Sequence, residues 1–194
     1  MSTARYAIAV LLLVALPPGL ALWFVIHPFE RHWRRLGAMW TYVILTPPMA
    51  ALMYGVYSAR ATLVGSDLGA STPLMALAAL TFTGTIIIAL KRKKHLTTAR
   101  LVGVPELSQA SYPGVLLNEG IYSRIRHPRY VEILLACLAY ALFANYTGLY
   151  ALVIVTVPTI HLLVLLEERE LRQRFGRAYD DYAAQVPRYL PFRS

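Results

Sequence analysis

Long apolar runs separated by short polar stretches organise this chain. Residues 6–26, 36–59 and 73–90 contain no Asp, Glu, Lys or Arg. Each is close to the ~18–25 residues that a helix needs to cross a bilayer. A fourth uncharged run covers residues 133–166. As one helix it would reach about 50 Å at ~1.5 Å per residue, too long for a hydrocarbon core of about 30 Å. A tight helical hairpin turning near Asn145-Tyr146-Thr147-Gly148 suits it better. Five spans result. After residue 166 the pattern changes. Leu171, Phe175, Tyr179 and Tyr182 recur at helical spacing, with Arg172, Arg174, Arg177, Asp180 and Asp181 on the remaining faces. That spacing predicts an amphipathic helix over residues 167–185 at the membrane surface. Pro17-Pro18 and Pro47-Pro48 lie inside apolar runs and predict kinks or interrupted hydrogen bonding there.

The expected fold is all-α: a polytopic membrane protein forming a single membrane domain over residues 1–194. Three spans fill residues 1–90, and a polar connection runs from 91 to 130. The hairpin follows at 131–166, then a cytoplasmic tail at 167–194. Residues 58–72 form a short connection in which nothing points to chemistry. The connection 91–112 is long, a property more common in functional loops, and Pro105 and Pro113-Gly114 break any continuous helix there.

Composition agrees with a membrane environment. Charged residues make up 15% of the chain, against about 25% in a typical soluble domain. Charge placement then sets orientation. Of the 19 Lys and Arg residues, only Arg5 and Arg60 fall on one side of a five-span threading. The rest fall in the first loop (Arg31, Arg34, Arg35), in the third loop opening with Lys91-Arg92-Lys93-Lys94, and in the tail. The positive-inside rule places the N-terminus outside and the C-terminus in the cytoplasm. The net charge of +9 is then topology and contact with anionic lipid. Nucleic acid is not an expected partner, because the basic residues flank spans and have no domain of their own. The first apolar run is longer than a signal-peptide core and lacks a small-residue cleavage site before Trp23, so a retained first span is expected. The single cysteine, Cys137, lies inside a span, where it forms no internal disulfide and serves as a packing residue. The five histidines and one cysteine show no metal-ligand spacing, so no metal is expected.

Ionisable residues at membrane depth are costly and usually functional. Arg126, His127, Glu132, His161, Glu167 and Glu168 form that set. Two clusters, Gly120 to Tyr130 and Glu167-Glu168-Arg169-Glu170, stand at the two feet of the hairpin and meet on one side of the membrane. His127-Pro128 reads as a helix start, since proline suits the first helical turn, and free N–H groups there bind anions. Glu167 and Glu168 accept hydrogen bonds from hydroxyls or an ammonium group. Tyr122 and Tyr130 offer aromatic faces to a cationic centre. Together these are partners for a zwitterionic, ribose-bearing sulfonium. S-adenosylmethionine fits that description, although the physics alone does not select it.

Tyr122, Arg126-His127-Pro128, Tyr130 and Glu167-Glu168, followed by Phe175-Gly176, Tyr179, Tyr182 and Val186-Pro187-Arg188, resemble the isoprenylcysteine carboxyl methyltransferase family. Its members are integral membrane methyltransferases related to the phospholipid methyltransferases. The resemblance covers residues 114–192; upstream, only the pattern of spans agrees. It implies S-adenosylmethionine as cofactor, held by Gly114, Val115, Leu116, Leu117, Tyr122, His127, Pro128, Arg129, Tyr130 and Glu167. The cofactor would lie on the cytoplasmic side beneath the tail. A lipophilic small molecule or lipid head group would approach laterally for O-, N- or S-methylation. Arg126 is then an orienting cation and Glu168 a substrate-side group, with His127, His161 and Glu168 as candidate bases.

Two positions depart from the family pattern. Glu132 replaces a residue that is often small, and is either a substrate contact or a partner for Arg129. Leu163 stands where the prenylcysteine enzymes of eukaryotes carry a cation, which disfavours a prenylcysteine carboxylate as acceptor. An NADPH-dependent reductase of the sterol type is the alternative enzyme, although such proteins are usually larger. A non-catalytic membrane subunit or sensor keeping the fold is the third reading. The compact five-span form points to a bacterial inner membrane. The sequence carries no signal of oligomeric state.

Overall fold

The computed structural model describes residues 2–94 and 115–191. Helix α1 is Ser2–Ile26, and a 3₁₀ turn at His27–Phe29 leads into α2, Glu30–Ser58. The short α3, Arg60–Val64, precedes α4, Thr72–Lys93. A second 3₁₀ turn at Gly120–Ser123 is followed by α5, Pro128–Ala144, α6, Thr147–Phe175, and α7, Arg177–Gln185. The described residues form no named strand; one isolated bridge joins Asp67 and Tyr146.

The stretches Thr3–Ser58, Thr72–Lys93 and Thr147–Phe175 are long and apolar enough to cross a membrane. Their outer faces stay apolar, with Leu80 70% and Ile154 71% exposed. A surface this apolar suits lipid and not water. The described residues are thus all-helical, with three stretches suited to spanning a membrane. At 17 residues α5 is about 26 Å long, a little short of the hydrocarbon core.

Helix packing relies on small residues. Ala9, Ala139, Ala141 and Ala144 are all but inaccessible, which lets backbones approach closely where lipid supplies no hydrophobic drive between helices. Ala9, Leu12 and Leu13 of α1 meet Cys137 and Ala141 of α5 and Leu149 of α6 in one cluster, so Cys137 is a packing residue. A second cluster joins Leu20, Tyr130, Ile160, Leu163 and Val164, directly beside the candidate site.

Several expectations are corrected. The sharp break in α2 falls at Gly37, with φ 81° and ψ 162°, and not at Pro47-Pro48; α1 runs unbroken through Pro17-Pro18. Glycine reaches that left-sided dihedral without a Cβ penalty, whereas a proline keeps helical φ and loses only one bond. The connection 58–72 contains α3. The amphipathic segment is not one helix over 167–185. Helix α6 continues to Phe175, and Gly176 (φ 55°) then redirects the chain into α7. Helix α6 thus carries Glu167 to Glu170 on a rigid extension.

At one end of the bundle, α5 stops at Asn145 in the left-handed conformation (φ 56°), its N–H donating to the Ala141 carbonyl, a common helix ending. Only Tyr146 separates Asn145 from α6. Arg5 covers this end. Its Nε donates to the Ala144 carbonyl at 2.9 Å, its guanidinium pairs with Asp67, and it lies 5.4 Å from the Tyr146 ring centre. The cation thereby satisfies carbonyls at a helix C-terminus, where positive charge is favoured. Asn145 Nδ2 donates to the Gly69 carbonyl, and Ser66 N–H to the Thr147 hydroxyl, both at 2.9 Å.

Candidate functional site

The other end gathers the ionisable residues. His127 is the N-cap of α5, with Pro128 at its first position, so the ring leaves the helix towards α6. His127 Nε2 lies 3.2 Å from Glu168 Oε1 and Nδ1 lies 3.8 Å from Glu167 Oε2. Two consecutive glutamates therefore bracket one imidazole that is 3% exposed.

Their surroundings differ. Glu168 is completely buried. It pairs with Arg126 Nη2 at 3.0 Å and Arg188 Nη2 at 2.9 Å, with Arg172 at 3.5 Å, and accepts a further bond from Arg188 Nε at 3.0 Å. Three guanidinium groups and an imidazole thus converge on one carboxylate. Bonds to Glu168 raise the already high Arg188 value further, so that guanidinium stays charged. Glu167 is 29% exposed, and the Tyr130 hydroxyl hydrogen-bonds to it.

The tail is tied down over this centre. The Arg126 and His127 N–H groups donate to the Pro187 and Arg188 carbonyls at 2.9 and 3.1 Å. Arg126 Nη1 donates to the Ala183 carbonyl at 2.8 Å, and the Tyr182 hydroxyl to the Tyr122 carbonyl at 2.7 Å. Burial pushes the Tyr179 and Tyr182 phenols well above their ordinary value, so both remain neutral. Tyr122 is buried in a small cluster with Ile121, Ile125 and Leu117. Burial raises its phenol to about 12, and it is neutral too. Val115 is 68% exposed and Leu116 half-buried. Gly114 lies outside the described residues, as does most of the 91–112 connection.

Other site candidates sit further out. Pro128 is fully buried. Arg129 lies 4.8 Å from the Trp23 ring centre. Glu132 pairs with Arg92 at 2.7 Å, and not with Arg129, because α4 packs along α5 and presents the closer cation. His161 Nδ1 is 2.9 Å from the Tyr189 hydroxyl, and its ring stands 6.1 Å from that of Tyr189. Leu163 is completely buried.

Arg172 and Arg188 were not among the sequence candidates. Their signal was present: two cations at helical or tail positions facing an acidic pair, the second directly after Val186-Pro187. Also unforeseen is a second His–Glu pair. His27 Nδ1 is 2.8 Å from Glu170 Oε2, its ring stacks on Trp23 at 5.3 Å, and Arg174 approaches Glu170 at 3.7 Å. Nothing in the spacing of His27 and Glu170, 143 residues apart, announces this pair. Among the described residues, no group of His, Cys, Asp and Glu is arranged to hold a metal ion.

Comparison with known proteins agrees with this constellation. A model of the phospholipid methyltransferase family matches residues 73–178, more than half of the chain and the whole of α5 and α6. Protein-S-isoprenylcysteine O-methyltransferase B of Arabidopsis thaliana is 33% identical over 78 residues. That match spans 40% of this chain and 40% of the relative, well under two thirds of the relative's length. No solved structure gives a significant match. A family match that contains both the His127 turn and the Glu167-Glu168 pair places the chain: it belongs to the phospholipid methyltransferase family.

Proposed function

We propose that this protein is an integral membrane methyltransferase that uses S-adenosylmethionine and modifies a lipophilic small molecule or lipid head group at the cytoplasmic face. The observation that carries the reading is the division of labour between the paired glutamates. Glu168 is consumed by Arg126, Arg172, Arg188 and His127, whereas Glu167 remains partly exposed beside the Tyr130 hydroxyl. A carboxylate held in this way fits the ribose hydroxyls or the ammonium group of the cofactor. The neutral rings of Tyr122 and Tyr130 suit a cationic centre. When bound, S-adenosylmethionine supplies a methyl group already activated by its sulfonium.

The protein's own residues then position and desolvate. Glu167, Tyr122, Tyr130 and the backbone of Val115–Leu117 with Gly114 bind and orient. His127, Pro128 and Arg129 shape the wall, and His127 holds the register between the glutamates. Arg126 and Glu168 are positioning residues, because their interactions lock the tail over the site and exclude water. In this reading the chain crosses the membrane five times, with its N-terminus outside, in the inner membrane of a bacterium.

Calorimetric binding to the detergent-purified protein tests the proposal, with S-adenosylmethionine, S-adenosylhomocysteine and NADPH as ligands and Glu167→Gln as the variant. Binding of both adenosyl ligands to the wild type, weakened at least tenfold in a folded variant, is the expected outcome. NADPH binding alone would transfer the case to a reductase. Absence of binding to folded protein would favour a non-catalytic subunit.

A further inference from the structure

We propose that His27, backed by Glu170, accepts the proton of the methyl acceptor, and that the acceptor is therefore a protic head group (a hydroxyl, thiol or amine) and not a carboxylate. The inference rests on the methyltransferase reading and adds the acceptor side of that site.

His27 opens the turn between α1 and α2, and its side chain is 8% exposed. Nδ1 faces Glu170 at 2.8 Å. An ionised carboxylate only accepts hydrogen bonds, so Nδ1 carries a hydrogen, and in the neutral ring Nε2 presents a lone pair. That Nε2 is buried and has no hydrogen-bond partner. Buried polar atoms are nearly always paired, and an exception calls for a reason. Anchoring the α1–α2 turn to α6 accounts for Nδ1 alone. A protic ligand completing the pair accounts for Nε2.

The location is right for the reaction. Glu167 and Glu170 are three residues apart in α6 and so share one face. Glu167 and Glu170 from α6 and Arg129 from α5 are the charges acting on His27, and Arg174 faces Glu170 from the same helix. Trp23 bridges the two halves, stacking on His27 while Arg129 lies over it. The imidazole thus neighbours the glutamate assigned to the methyl donor. It also stands at the join of α1, α2 and α6, and the proposal has the acceptor enter there.

The charge pattern selects the acceptor class. A carboxylate brought to His27 would face Glu167 and Glu170, and it needs no base. The position four residues before Glu167 supplies no cation for it, because it is the uncharged Leu163, packed in the core. A hydroxyl, thiol or amine must lose a proton during methyl transfer, and an imidazole backed by a carboxylate takes it. The lone pair of the acceptor atom forms the new bond to the methyl carbon. The methyl–sulfur bond of the sulfonium donor breaks and its electron pair stays on sulfur. The proton of the acceptor atom passes to His27 Nε2, and Glu170 stabilises the imidazolium until water removes it.

Methyl transfer from radiolabelled S-adenosylmethionine is measured over pH 5–9 with dodecylphenol, dodecanethiol, phosphatidylethanolamine vesicles and farnesylated N-acetylcysteine. The wild type is compared with His27→Ala, His27→Asn and Glu170→Gln, and donor binding is measured alongside. Asparagine retains a donor towards Glu170 at the place of Nδ1 and deletes Nε2, separating anchoring from proton transfer. We expect one of the three protic probes to be methylated. Both His27 variants should lose about 10²-fold or more in kcat at pH 7, with donor affinity within twofold of wild type. Glu170→Gln should move the acid limb of the rate profile to lower pH, because removing the carboxylate makes the imidazole easier to deprotonate. A folded His27→Asn with kcat within threefold of wild type overturns the proposal, as does methylation of the farnesylcysteine carboxylate alone. Loss of donor binding in the wild type would instead overturn the methyltransferase reading itself, a result visible before any acceptor is added.

Discussion

The two ends of the bundle use charged residues for opposite purposes. At the Asn145 end, Arg5 serves the Ala144 carbonyl and Asp67, and Asn145 is bonded through both side-chain polar atoms, to Gly69 and Tyr150. Among the described residues, no buried side-chain polar atom at that end is without a partner. At the Glu168 end, His27 Nε2, Arg126 Nε and the Tyr179 hydroxyl are buried and unpaired, and Glu167 is left partly exposed. One end is closed in hydrogen-bonding terms; the other keeps unused capacity. A closed polar network rigidifies, whereas unpaired buried atoms are costly unless something else completes them. The contrast separates anchor from site without reference to any relative.

The strongest way to break the comparison is at its most charged point. Glu168→Gln removes the anion that offsets three guanidinium groups, two of which also hold the tail. Loss of one partner in a buried pair costs about 3–5 kcal/mol. Thermal unfolding in detergent should show a large loss of stability for this variant. A midpoint unchanged from wild type would mean that the centre is wetter and less coupled than its burial implies.

The next effect belongs to the Asn145 end and involves no charge. A Cβ on Gly148 would overlap the Leu63 carbonyl oxygen and crowd that of Val64, backbone atoms that cannot swing aside. Gly148→Ala should destabilise by about 1–3 kcal/mol through overpacking. In the same unfolding assay, Gly19→Ala, inside α1 where nothing lies within 4 Å, is the control and should be neutral to slightly stabilising. Equal behaviour of the two would show that α3 and α6 do not approach as closely as described.

Smaller again is Glu167→Gln. Its expected effect is on ligand affinity, about tenfold or 1.4 kcal/mol, with little change in the unfolding midpoint because the side chain is partly exposed and makes no short ion pair among the described residues. Neighbouring glutamates would then separate cleanly into one that holds the fold and one that holds a ligand. If Glu167→Gln unfolds the protein as Glu168→Gln does, the division between them fails.

How far this was legible beforehand follows from what each signal depends on. The spans are written in the local sequence, as uncharged runs of the right length, and three stretches of the structure meet that criterion. The pairing of the His127 turn with Glu167-Glu168 was readable because one apolar segment separates them by forty residues. Breaks are less legible. Proline marks a lost hydrogen bond, but the actual kink at Gly37 depends on a glycine that local pattern does not single out. Long-range partners not joined by one apolar hairpin are not legible: Glu132 pairs with Arg92 and not with the neighbouring Arg129 because α4 lies along α5. His27 met Glu170 only because α1 and α6 end side by side. Charge count suggested membrane orientation, whereas the specific job of Arg5, an outlier in that count, emerged only with the Ala144 carbonyl in place.

The finest test of the contrast is the pH response of the Asn145 end. The Gly69 N–H and then the Arg5 guanidinium hold the Asp67 carboxyl below its ordinary value of 3.8. A depressed folded-state value means that the carboxylate contributes stability above about pH 4 and loses it as pH falls through the lowered value. The contribution is small, because the side chain is 40% exposed and solvent screens the pair. Asp67→Asn should therefore unfold slightly earlier than wild type at pH 7, and the gap should close below pH 4 as the wild-type carboxyl takes up its proton. A midpoint difference constant from pH 7 to pH 3 would show that Asp67 acts through its hydrogen bonds and shape alone. In that case the Arg5–Asp67 pair owes nothing to the carboxylate charge, and the electrostatic contrast with the Glu168 end becomes sharper still.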